Sequence, residues 1–196
     1  MDRRIYRPVT VAFALCVALP GLPAGAGSAT TATTASAACD PAFQPYGLIG
    51  EKWRASGGEN GVFGCPVRAE YGFAGNSARR QDFLNGQIGW SPALGPRAMV
   101  RTYRSGDRAV FQWGSTGRDW DYFEVRYSFN DGAVKRYTVK RRDPWNGGFS
   151  RPITGPGPEP LGSNRPLHYF SVRGCDHSGL LQAGSDCGGW SLPGRL

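Results

Sequence analysis

The chain is 196 residues long, carries a formal charge of +8 and contains 29 glycines, 15 prolines and five cysteines. Its arginines are scattered rather than gathered on one helix or interleaved with a stacking platform, which argues against a nucleic-acid reader. The surplus charge fits solubility, or attraction to the polyanions of a cell envelope.

The first 38 residues differ in kind from the rest. Asp2, Arg3, Arg4 and Arg7 form a mostly basic head, and residues 9–22 form an apolar core too short to span a bilayer stably. Small residues follow, with cleavage expected after Ala26, Ala29 or Ala37, so the segment reads as a secretory signal. The residues around Arg3-Arg4 fit a twin-arginine signal poorly, and Ser36-Ala37-Ala38-Cys39 lacks the leucine of a lipoprotein box. Cleavage removes three arginines and one aspartate, so the charge falls from +8 to +6. It also removes Cys16 and leaves an even set of Cys39, Cys65, Cys175 and Cys187, which in an exported chain implies disulfides. Three connectivities are open, and proximity favours Cys39 with Cys65 and Cys175 with Cys187. On the chain-entropy model these closures contribute about 3.5 and about 3 kcal/mol.

Residues 27–38, GSATTATTASAA, are too small and polar to bury a core and read as a tether or as a segment that is trimmed away. Next, Leu48, Ile49 and Trp53 lie at helical spacing and predict a helix over 46–55 that Gly57-Gly58 stops. GGENGVFGCP, residues 57–66, then reads as a tight turn delivering Val62 and Phe63 as an apolar plug, with Pro66 fixing the exit. Two strands are expected at 80–84 and 87–91, joined by the hairpin signal Asn85-Gly86.

From residue 98 the pattern has period two. Residues 108–113 alternate, and 122–129 put Phe123, Val125, Tyr127 and Phe129 on one face with Glu124, Arg126 and Ser128 on the other. Asn130-Asp131-Gly132 turns the chain into a strand over 134–141, and 167–174 supplies another with Phe170 and Val172 inward. Residues 155–166, with four prolines and three glycines, form a connection with little capacity for ladder bonds. Short strands between turn signals indicate an antiparallel sandwich.

Two families are resembled. Residues 49–53, Gly57-Gly58, Val62-Phe63-Gly64-Cys65-Pro66, Asp82-Phe83, Gly86-Gln87-Ile88, Trp90-Ser91-Pro92 and Gly95 together resemble an LGFP repeat over about residues 46–101. The resemblance implies a module of actinobacterial envelope proteins that holds them to cell-wall polysaccharide. Three departures matter: one repeat in place of several forgoes affinity gained by multivalency, a lone repeat lacks neighbours to cover its apolar faces, and Cys65 stands where a small residue usually precedes the proline. A disulfide from Cys65 to Cys39 is expected to substitute for those neighbours. Over about residues 98–193 the chain resembles a fibronectin type III domain. Val110-Phe111-Gln112-Trp113 stands as its second strand, 122–127 as its third and 170–175 as its sixth, with Cys175 and Cys187 bracketing the last hairpin. At the family's corner tyrosine this chain has His168, with Tyr169 adjacent.

The expected architecture is therefore mainly β. Residues 1–38 are signal and tether, 39–98 a small helix-plus-hairpin LGFP-like module, and 99–196 an antiparallel fibronectin type III-like β-sandwich.

Chemistry-bearing residues are sparse. Asp176-His177-Ser178 has the residue types of a triad, but neighbours on an extended chain point to alternate faces. His168, His177, Asp176 and Asp186 have no metal-ligand spacing, and the sequence contains no nucleophile elbow, phosphate loop or zinc-protease helix. Asp119, Asp121 and Glu124 beside Trp120 invite a glycosidase reading, which solvated acids at a strand entry explain equally well. Trp53, Trp90, Trp113 and Trp190 read first as core, whereas Trp120 and Trp145 lie in apparent loops where a flat face can stack on a sugar or cap the sandwich. Candidate ligand-binding residues are Val62, Phe63, Gly64, Pro66, Asp82, Trp90, Trp120 and Trp145. The functional expectation is a secreted, non-catalytic protein of the cell wall that binds polysaccharide, with another envelope protein as a further partner. No nucleic acid, cofactor, metal or stable membrane span in the mature chain is expected. The alternatives are a small secreted hydrolase of glycans or peptides, and a protein-binding or inhibitory module.

Overall fold

The computed structural model describes residues 38–130, 132–140, 143, 145–153, 168–178 and 184–196. Helix α1 spans Gly47–Ala55 and buries Ile49, Gly50 and Trp53 on one face. Gly57, at φ +97, ends it in the left-handed region, as the paired glycines predict. The strands are β1 (Tyr71–Phe73), β2 (Asn76–Phe83), β3 (Gly86–Trp90), β4 (Met99–Ser105), β5 (Arg108–Gly114), β6 (Tyr122–Phe129), β7 (Lys135–Lys140), β8 (Gly147–Pro152), β9 (His168–Ser178), β10 (Gly184–Cys187) and β11 (Gly194–Arg195). Strands β2, β3, β5, β6, β7 and β9 fall where the periodicity predicts them, whereas β1, β8, β10 and β11 carry too short or too polar a pattern to be read. The expected connection at 155–166 lies outside the described residues.

Two antiparallel sheets result, and the chain is mainly β. The first has the order β1-β2-β3-β4-β5-β8; the second has β10-β9-β6-β7, with β11 also pairing β9. They face each other across Val100, Ala109, Phe111, Trp113, Phe123, Val125, Phe170 and Val172. Phe111 and Phe170 stack between the sheets at 5.1 Å, and Trp113 meets Phe123 edge-on at 5.2 Å. This is a β-sandwich whose core comes from the inward positions of both sheets.

The first sheet is covered on its other face too. Strand β4 alternates, with Val100 and Thr102 beside Trp113 and Phe111 in the sandwich, and Met99 and Tyr103 turned toward α1. There Ile49, Trp53, Phe63, Phe83, Ile88 and Met99 form a second core. Strands β3 and β4, on opposite sides of the boundary expected at residue 98, are paired neighbours from Gly86↔Tyr103 to Trp90↔Met99. The described residues thus form one compact unit, in which the small helix-plus-hairpin segment shares its sheet with the sandwich.

Both disulfides of the favoured pairing are present, Cys39–Cys65 and Cys175–Cys187. No helix among the described residues is long and apolar enough to cross a membrane.

The sandwich core holds one titratable group with a pH consequence. His168 is 1 % exposed, and its Nδ1 meets the Tyr127 hydroxyl at 3.2 Å. Among the described residues its Nε2 has no partner, and burial lowers its pKa. Below about pH 6.5 an unfolded chain protonates this imidazole while the folded one resists. Stability is therefore fully present above that pH and falls as pH drops through the lowered folded value. Urea titrations between pH 7.5 and 5.5 should show this loss, and a His168→Leu variant should flatten it; an equal slope in both proteins would exclude His168 as its source.

Candidate functional site

The turn 57–66 is built around one buried ring. Phe63 is fully buried, 5.7 Å from Phe83 and edge-on to Tyr103 at 5.4 Å. Two glycines make the turn possible. At Gly61 a Cβ would lie 1.9 Å from the Ser56 carbonyl oxygen, and Gly64 sits at φ +68. The Gly64 carbonyl accepts from the Trp53 indole N–H at 2.9 Å, tying the turn to α1. On the other side, Asn85 N–H donates to Phe63 O and Leu84 N–H to Cys65 O, both at 3.0 Å, while Pro66 bridges Phe83. Disulfide, indole bond and hairpin bonds hold the turn from three directions.

That fixed turn leaves apolar groups outside. Val62 is 49 % exposed and Leu84 56 % exposed, each next in sequence to a fully buried phenylalanine. Val67 is also exposed. Val62 was expected among the candidate residues; Leu84 and Val67 were not, because only the register places the 83–85 turn against the 63–65 segment.

The remaining candidates do not join them. Asp82 follows the alternation of β2 onto the opposite face of the sheet from Phe83. There it is buried, accepting from the Tyr71 hydroxyl at 3.3 Å and from Gln87 Nε2 at 2.8 Å. Arg195 and Arg68 approach its carboxylate at 3.6 and 3.8 Å. Gln87 in turn accepts from the Arg195 N–H at 3.1 Å, and Arg80 donates to Pro193 O, so this network secures the C-terminal strand β11. Burial pushes the Arg80 pKa down, opposed by Tyr71 nearby. Trp90 is half-buried against the second core and donates from Nε1 to Pro96 O at 3.0 Å.

The two loop tryptophans differ. Trp120 is buried, with Arg118 stacked at 4.1 Å and Gly174 so close that a Cβ there would lie 2.3 Å from the ring. Of the two readings open for it, this is the cap of the sandwich rather than a ligand platform. Phe63, Gly64, Pro66 and Asp82 are buried as well, and each has a packing or bonding role in the fold. Trp145 is 47 % exposed, at a turn where Asp143 accepts from the Trp145 and Asn146 N–H groups. These bonds hold the Asp143 carboxyl below its ordinary pKa.

Of the residues weighed for metal and acid chemistry, His168 stands apart from the rest. His168 and His177 stand at opposite ends of the described part of β9, nine positions apart on an extended strand, roughly 30 Å. Asp176 is held by Arg118 at 2.5 Å. Glu124 lies close to Cys175 and Cys187, but both sulfurs are spent in their disulfide and offer no thiolate to a metal. Asp121 accepts from the His177 N–H at 2.9 Å, and Glu124 pairs with Arg173 at 2.7 Å. With Tyr122, Thr138, Lys140 and His177 these two acids line an open depression on the outer face of the second sheet.

Neither a curated protein nor a solved structure matches the chain. Residues 63–117, from the buried Phe63 through the β2–β3 hairpin to the end of β5 and just beyond, match the LGFP repeat.

Proposed function

We propose that the protein is secreted and held at the cell wall, where its LGFP-like segment, residues 39–98, binds polysaccharide without catalysing a reaction. The observation that carries this reading is the pair Val62 and Leu84, exposed on turns that a disulfide, an indole hydrogen bond and a hairpin hold in place. Rigid apolar groups can cover the C–H faces of sugar rings at little cost in side-chain order. The LGFP match and two disulfides support a cell-surface setting. For the sandwich, the fibronectin type III-like reading rests on β5, β6 and β9 lying at the sequence positions of that family's second, third and sixth strands.

The test is retention on purified insoluble wall polysaccharide. Deleting residues 39–98 would strip β1, β2 and β3 from a shared sheet, so point variants are the proper comparison. A Val62→Asp, Leu84→Asp double variant should keep its melting temperature within a few degrees and bind at least tenfold more weakly. Equal retention of variant and parent, or no retention of the parent, would overturn the reading. Release of soluble sugars or peptides from the same material would favour the hydrolase instead.

A further inference from the structure

The outer face of the second sheet lies beyond the 63–117 match and carries an arrangement that none of the preceding roles uses. Alternation along β6 turns Tyr122, Glu124 and Arg126 outward, because Phe123 and Val125 fill the sandwich. Register then aligns Arg126 with Arg136 on β7, and Glu124 with Arg173 on β9. With strands about 4.8 Å apart, the three arginines are anchored in a band roughly 10 Å wide across β7, β6 and β9. Lys140 adds a fourth cation opposite Tyr122.

The arginines are organised, and two of the three carry no ion pair among the described residues. Arg126 lies 3.8 Å and Arg173 4.7 Å from the Trp190 ring centre. Such stacking restricts a long side chain while leaving guanidinium N–H groups available to an anion. Glu124 pairs with Arg173, yet among the described residues no carboxylate lies within ion-pair distance of Arg126 or Arg136. The Arg126 pKa is lowered by burial and then by Arg136 and Arg173, with Glu124 opposing them, so positive charge outweighs negative here. An arriving anion would relieve it.

We propose that this face is a docking surface for an anionic polysaccharide laid across β7, β6 and β9, its acidic groups held by Arg126, Arg136 and Arg173. Charge complementarity selects a polyanion, and the face itself selects among polyanions. Its outward positions on β6 and β7 and on β9 as far as Arg173 are arginine, lysine, serine, threonine, tyrosine and one glutamate, and the lone exposed aliphatic group beside them, Val134 just before β7, is too small a patch for a peptide side chain or lipid tail to bury against. Trp190 is occupied by arginines and Tyr122 stacks on His177 at 5.0 Å, so neither ring is an open platform for a nucleobase. Hydroxyl-rich neighbours such as Thr138, Ser171 and Tyr169 suit a hydrated glycan. This surface is separate from Val62 and Leu84, so each can fail alone.

The experiment measures binding of residues 38–196 to polygalacturonate, uncharged dextran, polyglutamate and anionic phospholipid vesicles, at 50 and 200 mM salt. Polygalacturonate should bind best, and its affinity should fall at least threefold between the two salts. Arg126→Glu with Arg136→Glu should weaken it at least tenfold. Arg54→Glu with Arg104→Glu, an equal change of net charge away from this face, should weaken it less than threefold. The Val62→Asp, Leu84→Asp variant should bind polygalacturonate as the parent does. Equal losses in the two charge-reversed proteins would reduce the effect to net charge and overturn the proposal, as would absent binding with all proteins folded. Equal or tighter binding of polyglutamate or vesicles would overturn the choice of a glycan.

Discussion

Phe63→Ala is expected to lower the folding free energy by about 3–5 kcal/mol, the largest single effect within the LGFP-matched segment. The ring is fully buried and touches both the hairpin, through Phe83, and the shared sheet, through Tyr103. The surrounding structure has little freedom to collapse into the void. Cys65 is tied to Cys39 two residues away, the Gly64 carbonyl is held by Trp53, and the Phe63 carbonyl is held by Asn85. A site that cannot relax retains its cavity and incurs the upper part of the range. Urea denaturation with the disulfides intact measures the loss. A change below about 1 kcal/mol would mean that the turn does not depend on its plug, since surface substitutions fall in that range.

Asp82→Ala is the second large effect, about 3 kcal/mol, and it separates two roles for a residue that the sequence places among the ligand-binding candidates. The carboxylate accepts from Tyr71 and Gln87 while facing Arg195 and Arg68. Removing it strands a buried amide donor and leaves two guanidinium groups facing each other without an intervening charge. Because Arg195 and Arg68 are partly open to water, solvent offsets some of the cost and the figure stays well below that of a fully enclosed pair. Thermal and urea unfolding should both report the loss, with β11 losing hydrogen-exchange protection first. Retention on wall polysaccharide at a temperature where the variant is folded should be unchanged. Unaltered stability with lost retention would instead give Asp82 a place at the ligand.

Much of the fold was legible because its signals are local. The helix 46–55 followed from apolar spacing and a glycine stop, and the hairpin β2–β3 from Asn85-Gly86 between alternating runs. Strands β5, β6 and β9 followed from strict alternation, since each buries one face against the opposite sheet. Strands β10 and β11, four and two residues long, hold no periodicity to read and exist because β9 offers them an edge.

The candidate residues divide along the same line. Chain order alone identified the 57–66 turn and its aromatic plug, because the glycine density and lone apolar pair have few other uses. Which side chain faces water was a matter of packing: Val62 is exposed and Phe63 buried because α1 and Tyr103 close over one face only. Asp82 and Trp120 look like surface groups in the sequence, one acidic and one in a loop. Partners distant in sequence, Arg195 and Gly174, make them interior.

By itself, then, the sequence determined the β-rich class, the main strands, the favoured disulfide pairing and the existence of a small plugged turn, all of which depend on neighbours close in the chain. Only the tertiary structure decided that the turn and the sandwich share one sheet. It also decided that Leu84 stands beside the turn and that Arg126, Arg136 and Arg173 form one band. These depend on strand register, which a period-two pattern leaves free until both faces of the central sheet find something to bury against.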